Sequence, residues 1–324
     1  MMWRALAIAG LVAAAIVFPL IVTVNYFLHL AILALIFVMV AQGANIIQGY
    51  TGYVSIAQGA FMGIGAYSSA LLSMRLGLPV WASMVIAPMI TAVAAVIAGY
   101  PSLRVKGHYF AIVTLAMNMV VFIVLVNWIS LTKGEPGLPS IPSPEPINLG
   151  FVEFAFEKRR PYYYLTLTML LAVMTVVTLI VRSRIGQVLQ AIRQNEVFAE
   201  AAGIACWKYK LFAFVFSASL AGLAGALYAH YMGFINPTPF SAEASLNAIL
   251  AVILGGSGTL TGPLVGGALT VLLPEMLRVA EVYRLIAYGL ILILVVIFLP
   301  RGLVPAVAGL AARLRGGKPE KGAA

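Results

Sequence analysis

Ten apolar segments, separated by short polar or glycine- and proline-rich stretches, run through most of this 324-residue chain. Most of them approach the roughly 20 residues that an α-helix needs to cross the hydrocarbon core of a bilayer. Hydrophobic residues make up 62% of the chain and charged residues only 9%, whereas soluble domains average about 45–50% and about 25%. The sequence therefore excludes an ordinary soluble domain and predicts an all-α, polytopic membrane protein.

The apolar segments predict about ten transmembrane helices. Their expected positions, to within a few residues, are 5–24, 28–47, 54–73, 80–99, 109–128, 163–181, 211–231, 244–254, 263–277 and 285–299. The eighth is too short to cross alone at 1.5 Å per residue. We expect it to be a broken or tilted element that continues into the glycine-rich stretch "GGSGTLTG".

The distribution of basic residues predicts the orientation of these helices. With both termini in the cytoplasm, most lysines and arginines lie on the cytoplasmic side, and the net charge of +10 lies there too. This is the positive-inside pattern of membrane proteins. The basic charge therefore indicates membrane topology and contact with anionic lipids rather than nucleic-acid binding. We predict a transmembrane domain over 1–302, with a periplasmic loop at about 129–162, and a basic cytoplasmic tail over 303–324.

One polar, helix-patterned segment, "SRIGQVLQAIRQNEVFAEAAGI", interrupts the apolar sequence between spans six and seven. Its apolar residues recur at helical spacing, and Gly203 can end the helix. The pattern suits either a helix lying on the lipid headgroups or a helix docked into another protein. Glu196 and Glu200, one turn apart on the same face, favour a protein partner over an anionic membrane surface.

The residues offer little for catalysis or for metal binding. The chain has no G-x-x-x-x-G-K-[ST] motif for ATP, no aspartate, and only three histidines, which are far apart in sequence. Metal sites and acid–base sites need clusters of such side chains. We therefore predict a non-enzymatic chain that binds neither a metal nor a cofactor.

Two segments combine glycines with polar side chains at membrane depth. "GYTGYVSIAQGAFMGIGAY" places Ser55 and Gln58 inside span three, and "SLNAILAVILGGSGTLTGP" places Asn247 near the start of span eight. Interrupted spans in corresponding halves of a transporter indicate a translocation path. Hydrogen bonding between helices is the alternative role for these residues, and Tyr67 is either a gate or an interfacial packing residue.

Span seven carries a stripe of small residues at four-residue spacing. Its members are Ser217, Ala221, Gly225 and Ala229. Small residues allow helix backbones to approach closely in lipid. We therefore expect this stripe to pack tightly against a neighbouring helix.

Six motifs in order carry a resemblance to a known family. They are "GYVSIAQGAFMGIGAY", "VKGHYFAIVTLA", "SLTKGEPGLPSIP", "QAIRQNEVFAEAAGI", "YKLFAFVFSASLAGLAGALYAHYMGFINP" and "VILGGSGTLTGPLVGGAL". Over about residues 28–302 the chain resembles the permease subunits of branched-chain amino acid ABC importers, of the LivM type. The resemblance implies a ten-helix permease with two inverted halves in the bacterial inner membrane. Its expected partners are a second homologous permease, two cytoplasmic ATPases and a periplasmic solute-binding protein, with ATP and magnesium used by the ATPases.

The resemblance also suggests roles for individual residues. The "AIR…E…GI" segment, about 184–204, is similar to the coupling helix that seats in a groove of the ATPase. This role is carried over to Arg193, Glu196 and Gly203, with Ile192 as the apolar plug. A passive channel or a secondary carrier would not require such a docking helix.

Some positions depart from the family pattern. Gln58 stands where the family often has histidine, Gln187 where it often has arginine, and Phe198 where a small residue is usual. The expected substrate is a branched-chain or other hydrophobic amino acid. Urea, short amides and aromatic acids, which related permeases carry, remain open alternatives.

Overall fold

The computed structural model describes residues 2–22, 24–105, 107–148, 153–277, 283–299 and 301–314. In chain order the helices are α1 (Met2–Ile21), α2 (Asn25–Ala44), α3 (Gln58–Leu76), α4 (Val80–Ser102), α5 (His108–Asn127), α6 (Ile129–Thr132), α7 (Arg159–Arg182), α8 (Arg184–Gln194), α9 (Glu196–Ala201), α10 (Cys206–Met232), α11 (Ala242–Gly255), α12 (Gly262–Met276), α13 (Arg284–Phe298) and α14 (Leu303–Leu314). A π-helical turn, Asn45–Tyr50, extends α2, and a 3-10 turn spans Thr238–Phe240. Two short strands, β1 (Ile147–Asn148) and β2 (Glu153–Phe154), pair antiparallel.

The helical membrane class predicted from the sequence is confirmed. Within the described residues, five helices are long and apolar enough to cross a bilayer: Asn25–Tyr50, Val80–Ser102, His108–Asn127, Arg159–Arg182 and Cys206–Met232. A helix also lies in each of the ten segments in which we predicted a span. The boundary of the third was wrong, because α3 begins at Gln58 rather than at 54.

The interior of the molecule is built around α2, α3 and α10. Helix α10 packs along α3, α4 and α2, and α12 packs on α11 and α2. Gly225 of α10 lies against the Met62 carbonyl of α3, and Gly222 lies against Gly65. The predicted close packing of the small-residue stripe is confirmed, since a Cβ atom at Gly225 would overlap the backbone of α3.

The two interrupted elements of the chain meet in the interior. Between α2 and α3 the helix passes into the π-helical turn and then into an irregular segment, residues 52–57. Asn45 in that turn donates from Nδ2 to the Thr259 carbonyl (2.9 Å), and its Oδ1 accepts from the Gly258 amide (2.9 Å). The amide side chain of Asn45 therefore joins this break to the glycine-rich connection between α11 and α12.

The long loop between α6 and α7 is hydrogen-bonded to the first residues of the connection between α10 and α11. Leu138 and Ile235 exchange backbone hydrogen bonds (2.8 and 3.1 Å), and the Ile141 amide donates to the Gly233 carbonyl (2.9 Å). The buried side chain of His230 is hydrogen-bonded through Nδ1 to the Pro142 carbonyl (2.7 Å). These bonds hold the proline-rich stretch, which has no regular secondary structure over 139–146, against the helical bundle.

The C-terminal region begins with a helix. Within the predicted basic tail, 303–324, residues Leu303–Leu314 form α14, which packs on α11 and α12. Pro305 of this helix lies beside Gly256 in the glycine-rich connection. The rest of the predicted tail, 315–324, lies outside the described residues.

Candidate functional site

A buried group of polar side chains surrounds the start of α3. Gln58, the first residue of the helix, is buried and donates from Nε2 to Ser217 Oγ of α10 (2.7 Å). Ser55 is also buried, but it lies in the irregular segment before α3 and not in a helix as predicted. The neighbouring Ile56 amide donates to Thr114 Oγ1 of α5 (3.0 Å). A side chain of another helix thus satisfies a backbone amide just before α3, where no helical partner is available.

Two further polar residues, which the sequence reasoning missed, belong to this group. Asn118 of α5 donates from Nδ2 to Ser245 Oγ of α11 (2.6 Å), and the Gly59 amide donates to the same oxygen (2.7 Å). Both side chains are buried. A sequence signal existed for Asn118, because a single amide in the middle of an apolar helix is costly in a membrane and marks either a helix contact or a functional site.

The polar group contains atoms that have no hydrogen-bond partner among the described residues. They are Ser55 Oγ, Gln58 Oε1 and Asn118 Oδ1, all buried. Farther along α3, the buried hydroxyl of Tyr67 also has no such partner there. A buried polar atom left unsatisfied costs about 1–3 kcal/mol. Several unsatisfied polar atoms lie together at the start of α3. A polar ligand could form hydrogen bonds with them, as a binding site requires.

The predicted path residues are not all brought together. Tyr67 lies farther along α3, where its ring packs edge-on against Phe240 at 6.0 Å between centroids. Asn247 is only partly buried, and it follows Ser245 by two positions on α11. Since two residues turn a helix by about 200°, Asn247 lies on the opposite face from Ser245. The start of α3 and the Asn118–Ser245 pair form the cluster, and Asn247 stands apart from it.

The polar segment after α7 forms two helices rather than the single helix we predicted. Helix α8 is capped by Ser183, whose Oγ accepts from the Ile185 amide (3.2 Å). Asn195 is extended and ends α8, and its Oδ1 accepts from the Phe198 amide (3.0 Å) to cap α9. Asparagine competes well for such caps, which explains the break. Gly203 has a φ of +85° just beyond α9, the left-handed conformation in which glycine ends helices.

The apolar side chains of this segment divide between the interior and the surface. Ile192 is buried with Ala199 and Cys206 in a small cluster of the chain's own residues. Ile192, which we predicted to be an apolar plug for a partner, is therefore covered by the chain itself. Val197 and Phe198 are the exposed large apolar residues of this segment, at 70% and 74%.

Glu196 lies in an ion pair inside the molecule. Its Oε1 is 2.7 Å from Lys210 Nζ of α10, and its Oε2 accepts from the Tyr53 hydroxyl at 2.5 Å. The exposed fractions are 15% for Glu196 and 3% for Lys210. Burial raises the pKa of Tyr53, and the hydrogen bond to Glu196 raises it further, so the hydroxyl keeps its proton and donates. The expectation that Glu196 and Glu200 share a partner-facing surface is wrong for Glu196, while Glu200 is exposed.

Arg193 connects the same segment to the two interrupted elements. Its Nη1 donates to the Gly49 carbonyl at the end of α2's π-helical turn, and its guanidinium lies beside Gly258. Glu196 reaches Tyr53, which lies two residues before Ser55. The segment after α7 is therefore tied by polar contacts to the stretch of chain that leads into the buried polar cluster.

Comparison with known proteins gives consistent matches over most of the chain. A family model described as "Branched-chain amino acid transport system / permease component" matches residues 26–299. The high-affinity branched-chain amino acid transport system permease protein LivM of Escherichia coli K12 is 31% identical over 318 residues, covering 93% of this chain and 75% of that protein. LivM of Salmonella typhimurium is 31% identical, covering 85% and 69% of the two chains. The permease protein LivH of Salmonella typhimurium is 27% identical, covering 83% and 91%. No solved structure matches the chain.

Proposed function

Since this chain belongs to the family of branched-chain amino acid transport permeases, we propose that it forms one half of the transmembrane path of an ATP-driven importer for branched-chain or other hydrophobic amino acids. The observation that carries the proposal is the group of buried, unsatisfied polar atoms around the start of α3. The LivM and LivH relatives carry the names of permeases of one transport system. A second, homologous permease completes the path.

The proposed topology has ten membrane crossings in two inverted halves. It is supported by the helices found in all ten predicted segments. It is also supported by the meeting of the two interrupted elements, α2–α3 and α11–α12, at Asn45 and Gly258. Interrupted helices at the interface of two repeats are typical of transporter substrate sites. The basic residues orient both termini and the α8–α9 segment towards the cytoplasm of a bacterial cell.

The chemistry of the cluster suits a neutral, zwitterionic substrate in transit. The unsatisfied atoms include two amide oxygens, Gln58 Oε1 and Asn118 Oδ1, which accept hydrogen bonds from an ammonium group without introducing a buried charge. Neutral acceptors bind a cation more weakly than carboxylates do, and a weak site allows the substrate to leave. Amide acceptors also suit urea and short amides, and neither these nor aromatic acids are excluded as alternative substrates.

The α8–α9 segment is the proposed docking site for a cytoplasmic ATPase. Exposed Val197 and Phe198 provide apolar anchors, with Arg193 and Glu200 exposed beside them. Buried apolar anchors carry most of the affinity in interfaces of this kind. We propose that two ATPase subunits, which use ATP and magnesium, and a periplasmic solute-binding protein complete the transporter. The permease itself is non-catalytic and carries no cofactor.

The experiment that tests the proposal is substrate uptake by the assembled transporter in reconstituted vesicles. Gln58→Leu and Asn118→Leu should lower the maximal rate of amino acid uptake at least tenfold, because each removes an acceptor from the path. Complex assembly and the affinity of the solute-binding protein should be unchanged. Asn127→Leu is the matched control for Asn118→Leu. Asn127 also lies on α5, is exposed, and among the described residues its side chain is hydrogen-bonded to the Ile123 carbonyl of its own helix.

Two outcomes would contradict the proposal. Parental uptake by both variants would assign the two amides to helix packing and place the path elsewhere. A chain that co-purifies with neither an ATPase nor a solute-binding protein, yet moves amino acids through vesicles, would instead be a secondary carrier or a channel. Competition between labelled leucine and urea, short amides or aromatic acids for uptake decides among the alternative substrates.

A further inference from the structure

A cavity of about 220 Å³ lies on the surface where the end of α4 meets the start of α10. Its walls are Tyr100, Leu103, Arg104, Trp207 and Leu211. Tyr100 and Trp207 are half exposed, and their rings meet edge-to-face at 6.4 Å between centroids. Neither ring is required by the core, so both are free to form the wall of a binding site.

One cation, Arg104, lines this cavity, and a second, Lys208, lies beside its wall residue Trp207. The Arg104 guanidinium lies 5.2 Å from the centroid of the Tyr100 ring, and Lys208 Nζ lies 5.7 Å from that of Trp207. No residue of the cavity wall is acidic, and within the part of the chain that the structure describes neither cation pairs with a carboxylate. The aromatic rings orient the cations without neutralising their charge. A pocket with these properties attracts an anion.

An apolar surface leads away from the cavity along the outer face of α4. Ile97, Val93 and Met89 are all more than half exposed, and a second, apolar cavity of about 390 Å³ lies farther along the same groove between α4 and α10, next to Trp81. From Tyr100 to Trp81 the helix rises about 28 Å at 1.5 Å per residue, close to the roughly 30 Å of a bilayer's hydrocarbon core. Aromatic residues at both ends of such a stretch are typical of the two membrane interfaces.

We propose that the cavity between Arg104 and Lys208 binds the phosphate of an anionic phospholipid from the cytoplasmic leaflet. The two cations flank the phosphodiester, the rings of Tyr100 and Trp207 contact the glycerol region, and an acyl chain follows Ile97 and its neighbours along α4. Basic pockets between transmembrane helices on the cytoplasmic side select anionic lipids in this way. A zwitterionic phospholipid brings its own cation and gains less from the pocket.

The test measures phospholipids that remain bound to the assembled transporter, by native mass spectrometry from mixed micelles of phosphatidylglycerol or phosphatidylcholine with the same acyl chains. The double substitution Arg104→Gln/Lys208→Gln should lower the affinity for phosphatidylglycerol about thirty-fold, the factor expected for two basic residues near an anionic surface. Binding of phosphatidylcholine should not change. The matched control is Arg182→Gln/Arg184→Gln, which removes two exposed charges at the end of α7 and the start of α8, outside the cavity.

Three results would overturn the proposal. Equal losses in the two double variants would show a general surface charge effect and no site. Displacement of the phospholipid by millimolar inorganic phosphate would show that the pocket selects a free anion and not a lipid. A photoactivatable benzophenone amino acid introduced at Trp207 of the transporter in native membranes should form adducts with phospholipid, and adducts with a second permease subunit would assign the groove to a protein interface.

Discussion

The ion pair between Glu196 and Lys210 allows the strongest quantitative prediction for this protein. The pair joins the proposed docking segment to α10, and Tyr53 shares it through a hydrogen bond to Glu196. Replacing Lys210 with methionine keeps the length of the side chain and removes its charge. The carboxylate of Glu196, which is only 15% exposed, is then left without its cation.

The magnitude follows from the geometry. At 2.7 Å and an effective dielectric constant of 20, the attraction between two unit charges is about 6 kcal/mol. The desolvation of both groups offsets most of this, so a buried pair is close to neutral relative to apolar residues of similar volume. Removing one partner leaves the other charge buried and costs about 3–5 kcal/mol. Lys210→Met and Glu196→Gln should therefore each destabilise the chain by this amount, and the double variant should lie within about 1 kcal/mol of the parent.

The assay is a double-mutant cycle on the free energy of unfolding, measured in mixed micelles by titration with a denaturing detergent. The expected interaction energy is about 5 kcal/mol or more, because two losses of about 3–5 kcal/mol each nearly vanish in the double variant; this is above the roughly 0.5–3 kcal/mol usual for residues in contact. Lys208→Met is the matched control, because Lys208 is two residues away and exposed, and its ammonium group lies over the Trp207 ring without an ion pair among the described residues. In reconstituted vesicles Tyr53→Phe, which removes the hydroxyl that donates to Glu196, should also take up less substrate per ATP hydrolysed.

Two results would refute this reasoning. If Lys210→Met unfolds at the parental detergent concentration, the ammonium group of Lys210 contributes nothing and the pair is not a buried charge pair in the membrane. If the effects of the two single substitutions simply add in the double variant, the two side chains do not interact. Parental coupling of uptake to ATP hydrolysis in a stable Tyr53→Phe variant would show that the hydrogen bond between Tyr53 and Glu196 does not transmit the motion of the docking segment.

Two further predictions concern packing and orientation. Gly225→Ala should destabilise the chain by about 1–3 kcal/mol in the same unfolding assay, because the added methyl group meets the Met62 carbonyl. The control is Gly289→Ala, which should not change the free energy of unfolding, because a Cβ atom there meets nothing within 4 Å. Equal effects of the two substitutions would contradict the close contact between α3 and α10. In intact spheroplasts, a membrane-impermeant maleimide should label Glu157→Cys and not Gln194→Cys, with the parental chain as the control because its single Cys206 is buried. The reverse labelling would overturn the proposed topology.

The membrane-spanning segments could be predicted because each is a long apolar run. A run of this length has few alternatives to a helix in a membrane. The start of α3 could not be predicted in the same way. Residues before Gln58 continue the apolar pattern of the helix, and the irregular segment is hydrogen-bonded to a residue distant in sequence, Thr114, which accepts from the Ile56 amide. Ser55 and Gln58 were correctly expected to be buried, while Asn118 and Ser245 were missed because no local motif distinguishes them from residues that join helices.

The docking segment shows a second limit of pattern reasoning. Helical spacing correctly places Glu196 and Ile192 in helices, but it does not decide whether a polar or an apolar face is turned inward. Here the inward-facing residues include a carboxylate, because Lys210 lies one turn into α10 and satisfies it, and the exposed residues include Phe198. Burial of a single charge is costly, so a carboxylate is turned inward only where a basic side chain lies within reach of it.

This arrangement has a consequence for how movement in the cytoplasm reaches the path. Within the described residues, Glu196 accepts a hydrogen bond from Tyr53, and Arg193 donates one to the Gly49 carbonyl. The α8–α9 segment is therefore bonded to the chain on both sides of residues 50–52. From Tyr53 only four residues lead to Gln58, and they are irregular rather than helical. A displacement of α9 therefore acts on the stretch that carries Ser55 and Gln58 without first moving the whole of α3. Because these two residues hold unsatisfied polar atoms of the cluster, we expect a small movement there to change the acceptors that the proposed path offers to a substrate, while the tightly packed α3–α10 contact stays intact.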